Sequence, residues 1–499
     1  MVMELKTNVL YYGDNLEILQ KYIPDESIDL IYLDPPFNSN RSYSVLFRES
    51  GGASSEAQIE AFEDTWQWES TAQGAYEEVM TGPHQKVGRM LQAMVDGLGH
   101  NDVTAYLSMM AIRLVELHRV LKPVGALYLH CDPTASHYLK TLMDSIFGTL
   151  NFRNEVVWHY GQRTAFHKGH FSRKHDTLLL YAKSAKHRIS PISLPWTRED
   201  FLAHRHDVLS DADGREYIWT DGGRGKPRYK RYVDEVLGKG KPADSVWEIP
   251  IIDSAAKERL GYPTQKPLAL LERIVNASSH PGDIVLDPFC GCGTAVHAAH
   301  KLGRRWIGID ITHLAISLIR RRMQDAFPGI AIEVIGEPVD LAGARELAQR
   351  DKYQFQWWAL DRLRAQPVSG KKKGADKDID GVIPFFAGPK EDYKRVIVSV
   401  KGGEHVNVAM VRDLKGVLER EKEPIAVLLT LAPPTKDMVT EAAAAGFYES
   451  EFWGRKFPRV QILTIEELLG GKRPDMPWGK APFAKAPTEK EKGEQGEML

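Results

Sequence analysis

The chain has 499 residues, with 65 Lys+Arg against 67 Asp+Glu and a formal charge of −2. At 43% apolar and 26% charged it is a globular chain with room for two to four domains of roughly 150 residues, which excludes wholesale disorder. Three cysteines cannot build a disulfide framework, no apolar run nears the roughly 18 residues of a membrane span, and the opening MVMELKTNVLYYGD lacks signal-peptide order. A cytoplasmic setting without membrane contact is expected, and whole-chain neutrality, taken alone, argues against nucleic acid.

In chain order, residues 8–150 alternate short β-rich runs with amphipathic helical stretches, the rhythm of an α/β sheet. Val9–Tyr12 and Ile28–Leu33 read as strands. Thr104–Leu121 reads as a helix, with Leu107, Met110, Leu114, Leu117 and Leu121 on one face. Pro123 stops it, and Ala126–His130 returns as a strand. Residues 151–250 lack a long periodic segment and hold seven of the 17 histidines between His159 and His206. From Thr264 the rhythm resumes: helix Leu268–Ser278, strand Asp283–Leu286, a Gly-rich turn, helix Thr294–Leu302, strand Trp306–Ile309 and helix Leu314–Ala326. A Gly/Lys-rich connection, Gly370–Lys377, opens a last mixed segment at about 350–470. The Pro-, Lys- and Glu-rich tail, 475–499, is expected to be disordered. No repeat of solenoid period occurs.

The first chemical motif is Ile31-Tyr32-Leu33-Asp34-Pro35-Pro36-Phe37-Asn38. Pro35 restricts Asp34 to an extended conformation, and each proline fixes its own φ. The result is a stiff strand end with a carboxylate, bare carbonyls and a ring face. Asp34 and the Pro35 carbonyl suit the two N–H bonds of an exocyclic amine, and Phe37 suits stacking on the base. Taken in isolation, Asp-Pro-Pro reads equally as an edge strand ending in a turn. The second motif is Asp287-Pro288-Phe289-Cys290-Gly291-Cys292-Gly293-Thr294, a strand end, a two-glycine turn and a helix start. Backbone there can approach a ligand closely, and Asp310 ends the next strand where a carboxylate commonly holds ribose hydroxyls. The third glycine of a dinucleotide fingerprint is missing, so a nucleoside cofactor without a pyrophosphate fits better.

These two boxes, in this order, resemble motifs IV and I of the β group of S-adenosylmethionine-dependent DNA amino-methyltransferases. Tyr262-Pro263-Thr264-Gln265-Lys266-Pro267 matches the family's motif X, Gly13-Asp14-Asn15 sits where the family places a carboxylate near the cofactor adenine, and Leu129–Thr134 is similar to the group as well. The resemblance covers about residues 8–330. It implies a Rossmann-like α/β fold with a mostly parallel seven-stranded sheet carrying one antiparallel strand. It assigns the target base to Asp34, Pro35, Pro36 and Phe37, and S-adenosylmethionine to Asp14, Lys266, Asp287, Phe289, Gly291, Gly293, Thr294 and Asp310. Asp in the first position of the box favours adenine N6 over cytosine N4. A cytosine-C5 enzyme would need a Pro-Cys nucleophile, and none occurs. Cys290 and Cys292 read as small packing residues rather than a redox or metal pair.

The expected divisions are a catalytic half at 1–150, an inserted target-recognition region at 151–250, a cofactor-binding half at 251–345, and a smaller domain at 350–470. Between 151 and 241 there are 18 Lys/Arg against 11 Asp/Glu. The local balance of +7 leaves −9 for the remainder, so whole-chain neutrality is an average over unlike parts. The run Arg224, Lys226, Arg228, Lys230 and Arg231, interleaved with tyrosines, is the candidate contact to double-stranded DNA; a solvated loop is the bland alternative. The histidines, His167 and His170 among them, complete no zinc pattern.

In the last third, Asp380 and the strand ending Ser399-Val400-Lys401 resemble the Mrr-like restriction-endonuclease fold. That resemblance implies Mg²⁺ on Asp380 and water activation by Lys401, but Ser399 stands where the family has Glu, Asp or Gln. A nuclease fold is therefore expected more than nuclease activity, and Mg²⁺ only if this domain cleaves DNA. The expected protein is an adenine-N6 DNA methyltransferase in a restriction-modification or defence setting. Its alternatives are a cytosine-N4 enzyme, a bifunctional methyltransferase-endonuclease, an RNA methyltransferase and a non-catalytic DNA-binding protein. A homodimer is left open.

Overall fold

The computed structural model describes residues 5–36, 42–48, 54–63, 68, 70–161, 169, 171–203, 205, 207–253, 256–262, 264–368, 379–388 and 392–477. Its centre is a nine-stranded sheet built from β1 (Val9–Tyr12), β2 (Ile28–Leu33), β3 (Leu121–Cys131), β4 (Phe152–His159), β5 (His175–Ala182), β6 (Val246–Glu248), β7 (Ile284–Asp287), β8 (Arg305–Asp310) and β9 (Glu333–Ile335). The spatial order is β6-β4-β5-β3-β2-β7-β8-β1-β9. Every pairing is parallel except those of β5, which runs antiparallel to both neighbours. The single antiparallel strand agrees with expectation. The count of seven does not, because the short β6 and β9 extend the two edges.

Period-two alternation splits the strands between two cores. Val9, Tyr11, Ile31, Leu33, Leu127, Leu129, Leu286 and Ile307 pack on one face, against helix Asp102–Val120. Leu10, Tyr12, Leu30, Tyr32, Tyr128 and Val285 pack on the other, against helices Leu268–Ser278 and Thr294–Lys301. Helix Asp102–Val120 starts two residues earlier than the apolar spacing predicts because Asn101 and Thr104 form a reciprocal capping box. It passes at Leu121 directly into β3, and Lys122 pairs with Asp29 where the register slips.

The recognition-region boundary at 151 falls inside this sheet. Strands β4 and β5, within the expected insert, form its antiparallel turn-back, and β6 returns from the insert to pair with β4. Only the intervening stretch makes a separate unit, with strands Glu216–Thr220 and Tyr229–Tyr232 packed on Phe201, Val233 and Val236.

A second sheet of five strands follows, in the order Gln366–Pro367, Gly381–Gly388, Asp392–Lys401, Ile425–Thr430, Val460–Thr464. Its first three strands pair antiparallel and its last three parallel. Helices Leu341–Arg350 and Lys352–Arg362 lie between the two sheets, and one apolar core runs through from Leu10 and Ile316 to Phe355, Trp358, Val396 and Val427. The division expected near 345–350 is thus continuous in packing. Met476 is 3% exposed and the Asp475 backbone N–H donates to Gln461, so the packed chain runs past the expected start of the tail. The Gly370–Lys377 connection and most of the tail lie outside the described residues. No helix among the described residues is long and apolar enough to cross a membrane.

Candidate active site

Parallel pairing puts functional groups at the carboxyl ends of adjacent strands. Leu30 and Ile31 of β2 register with Val285 and Leu286 of β7, so Asp34 and Asp287, 253 positions apart in sequence, emerge side by side. Strand β8 lies next to β7 and delivers Asp310 to the same edge. The three carboxylates line one cavity of about 430 Å³, shared with Asp14, Pro35, Pro36, Lys266, Phe289, Gly291 and Thr294. That volume lies within the roughly 300–1,000 Å³ of small-molecule sites. Ten of the twelve positions expected to serve the target base and the cofactor therefore converge there. Phe37 lies outside the described residues.

Gly293 stands apart from these ten. It is not part of the cavity lining. Its φ is +75°, and a Cβ there would stand 2.9 Å from Ile319 Cγ1 and Cγ2. The glycine serves a left-handed turn packed against the next helix, which lets Thr294 start its own helix facing the cavity. Gly291 does approach the site: its backbone N–H donates to Asp310 Oδ2 at 2.9 Å, and Tyr262 Cε1 would lie 3.2 Å from an added Cβ.

The electrostatics are those of carboxylates held in a confined space. Asp310 also accepts from the Thr312 backbone N–H and hydroxyl, each at 2.9 Å, yet burial outweighs these bonds and pushes its pKa up to about 6. Burial pushes Asp287 well above the usual carboxylate range, with the charges of Asp34 and Asp310 adding to it. Lys266 brings a cation to this group: its Nζ lies 2.5 Å from Asp34 Oδ2, with both side chains largely buried. The lysine expected to serve a cofactor therefore also grips the carboxylate of the catalytic box.

Sequence reasoning missed Arg113. It is buried on helix Asp102–Val120, donates to both Asp14 oxygens at 3.0 and 2.8 Å, and holds Asn15 Oδ1 at 2.7 Å. Asn15 in turn donates to the Pro288 carbonyl at 2.8 Å, which ties the Asp14 turn to the cofactor-loop turn. The signal was present, because an arginine three residues after Met110 interrupts an otherwise apolar stripe. A second buried arginine, Arg322, donates to Thr294 Oγ1 at 2.9 Å and the Cys292 carbonyl at 3.2 Å. Cys290 and Cys292 are buried, and burial raises both thiols, which suits packing rather than redox chemistry.

The basic run is not among the cavity-lining residues; it lies on the hairpin of the insert. Arg224, Lys226, Arg228 and Lys230 are exposed and Arg231 is half-buried. By contrast, Arg198 and Arg215 of the same unit are tied to Glu216 and to Asp234 with Glu235. Trp219, 43% exposed, pairs across the strands with Lys230, and Lys230 Nζ sits 4.1 Å over the Tyr217 ring.

In the second sheet, Asp380 and Ser399 do come together: Ser399 Oγ lies 3.3 Å from Asp380 Oδ2, which also takes the Val400 backbone N–H at 2.6 Å. Lys401 follows on the same strand. The Mg²⁺ expectation for Asp380 does not fit this donor set. A hard divalent cation wants several oxygen ligands, and among the described residues one carboxylate holds the strand backbone here beside a serine. No group of three His, Cys, Asp or Glu suited to a metal occurs among the described residues, and His167 and His170 lie outside them.

Residues 28–321 match the N6/N4 methyltransferase family model, described as DNA methylase. The chain belongs to this DNA methylase family. It is 28% identical to the DNA adenine methyltransferase YhdJ of Escherichia coli K12 over 323 residues, covering 65% of this chain and 84% of that protein. It is 30% identical to the Type II methyltransferase M.HpaI of Haemophilus parainfluenzae over 251 residues, 50% of this chain and 69% of that one. Among solved structures it is similar to a putative DNA modification methylase of Thermus thermophilus complexed with S-adenosyl-L-methionine, at 20% identity and TM-score 0.36, covering 65% of this chain and 98% of the other. It is also similar to the cytosine-N4-specific PvuII DNA methyltransferase, at 16% identity and TM-score 0.36, covering 64% and 87%.

Proposed function

We propose that this DNA methylase transfers a methyl group from S-adenosylmethionine to adenine N6 in double-stranded DNA. The observation that carries the reading is the convergence of Asp34-Pro35 with Asp310, Asp287 and Asp14 on one cavity. The residues present fit the cofactor: Asp310 offers a carboxylate for ribose hydroxyls, Gly291 a close backbone approach, Phe289 and Pro36 apolar walls, and Asp14 an acceptor for a base edge. Bound there, the cofactor supplies an electrophilic methyl group on a cationic sulfur.

The protein's part is positioning. Asp34 and the Pro35 carbonyl accept the two N–H bonds of the target amine, which turns the nitrogen lone pair out of conjugation with the ring. Lys266 holds one Asp34 oxygen and leaves the other to the amine. A strand end beneath a cavity is out of reach of a stacked base, so the target nucleotide leaves the duplex. The exposed cations of the hairpin supply phosphate contacts. Adenine is favoured by Asp rather than Ser at position 34 and by the kinship with YhdJ.

Sequencing that detects modified bases in DNA from cells expressing the protein, with Asp34→Ala as control, tests this reading. N6-methyladenine at a defined site, absent in the variant, is expected. N4-methylcytosine instead would refute the choice of base, and no new modification would refute the activity. For the second sheet we infer a nuclease-like module without cleavage chemistry; Ser399, where the resembled fold has Glu, Asp or Gln, supports this.

A further inference from the structure

A hydrogen-bonded chain that the proposed methyl transfer leaves unused leads out of the cavity wall. Tyr32, two residues before Asp34 and on the same side of β2, lines the cavity. Its hydroxyl lies 3.1 Å from His130 Nδ1, in a ring with no solvent exposure. His130 Nε2 lies 3.1 Å from Asp176 Oδ2, and Tyr160 donates to Asp176 Oδ1 at 3.1 Å. The Asp176 side chain is 17% exposed, so the chain runs from the cavity wall along one face of the sheet toward solvent, across neighbouring strands β2, β3 and β5.

The direction of its hydrogen bonds follows from its charged end. Burial acts to raise the Asp176 pKa, but the hydrogen bond from His130, the charge of Lys266 and the Tyr160 hydroxyl together hold it below the ordinary carboxylate value. An ionised Asp176 only accepts, so His130 donates to it from Nε2; with that as the ring's one proton, Nδ1 is an acceptor. Tyr32 must then donate to Nδ1. Burial, with the charges of Asp34, Asp287 and Asp176, keeps the Tyr32 phenol well above its ordinary pKa, so it remains protonated. Its O–H points away from the cavity, leaving a lone pair for it. Every hydrogen bond thus points from the cavity toward Asp176.

We propose that Tyr32, His130 and Asp176 form the exit route for the proton released when the target amine is methylated. The inference rests on reading this cavity as the site of amine methylation. Methyl transfer leaves the nitrogen with one proton too many. One of the two N–H bonds turns from the Pro35 carbonyl to Tyr32 Oη and breaks as its proton moves there, while the Tyr32 proton passes to His130 Nδ1 and the His130 Nε2 proton passes to Asp176 Oδ2. The base ends neutral, tyrosine and histidine end as they began apart from the ring tautomer, and the carboxylic acid formed at Asp176 releases its proton to solvent. Because phenolate is costly here, the hops are concerted. Asp34, gripped by Lys266, is left to orient the amine.

The test is single-turnover methyl transfer to duplex DNA by the full chain, run in water, heavy water and mixtures of the two. Wild type is expected to slow in heavy water with a curved proton inventory. Tyr32→Phe is expected to lose about a hundredfold in rate, the scale of acid–base assistance, with Kd for DNA and cofactor unchanged and the inventory no longer curved. Asp176→Asn, which keeps the Tyr160 bond and the packing but cannot take up a proton, is expected to lose rate likewise with an unchanged thermal midpoint. Active wild type with Tyr32→Phe and Asp176→Asn both within twofold of it, or with an inventory the substitutions do not alter, overturns the exit route alone. Wild type that transfers no methyl group overturns the reading of the site, and the route with it.

Discussion

Asp310 ties cofactor binding to pH. Its carboxylate takes three hydrogen bonds, from Gly291 and Thr312, yet burial lifts its pKa from 3.8 to about 6. In the unfolded chain the group loses its proton near pH 4; in the empty folded protein it keeps it to about pH 6. Its contribution to stability is therefore full below about pH 4 and is lost as pH rises through 6, by about 3 kcal/mol at about 1.4 kcal/mol per pH unit. Binding has the opposite sign. Ribose hydroxyls donate to the ionised form, so affinity for S-adenosylmethionine is expected to be level above about pH 7 and to fall about tenfold between pH 7 and pH 5. Titration calorimetry of the wild type and Asp310→Asn at pH 5, 6, 7 and 8 measures it. The variant should bind weakly with a flat profile. A flat wild-type profile, or the same slope in Asp310→Asn, would refute the assignment of Asp310 to the cofactor.

Gly293→Ala forces a side chain into a left-handed turn against Ile319, and should cost about 3 kcal/mol in denaturant unfolding from backbone strain and overpacking together. Replacing Lys226 and Arg228 with alanine should weaken DNA binding alike for cognate and unrelated duplexes. The slope of log K against log salt should fall by about 2, about 0.9 per phosphate contact, as measured by fluorescence anisotropy. Asp380→Ala deprives the Val400 N–H of an acceptor and should destabilise the fold by about 1–3 kcal/mol with methyl transfer intact. Magnesium-dependent cleavage by the wild type that this substitution abolishes would refute the module's silence.

Much of the fold was legible because alternation along Val9–Tyr12 and Ile28–Leu33 must serve two cores at once, and that pattern survives in any single sequence. Strand β4 was obscured because Phe152 at its start is followed by the polar Arg153, Asn154 and Glu155, which blurs the alternation. At the site, the local motifs Asp34-Pro35-Pro36 and Asp287–Thr294 carried their own stereochemistry and could be read directly. The Lys266–Asp34 contact and the Arg113–Asp14 pair could not, since each joins residues about a hundred or more positions apart through packing alone. The closeness of Gly293 to Ile319 was hidden as well, because a glycine's motif position does not say which neighbours need the space.

The shared core between the two sheets has a mechanical consequence. With Phe355 and Trp358 buried in the same apolar mass as Leu10 and Ile316, and Arg320 bridging to Asp361 at 3.0 Å, the described residues leave the second sheet no hinge about which to swing. It is a buttress for the strand that ends in Asp310: heat should melt both sheets in one transition, and a duplex seated on the cavity would always meet the second sheet at the same angle and distance.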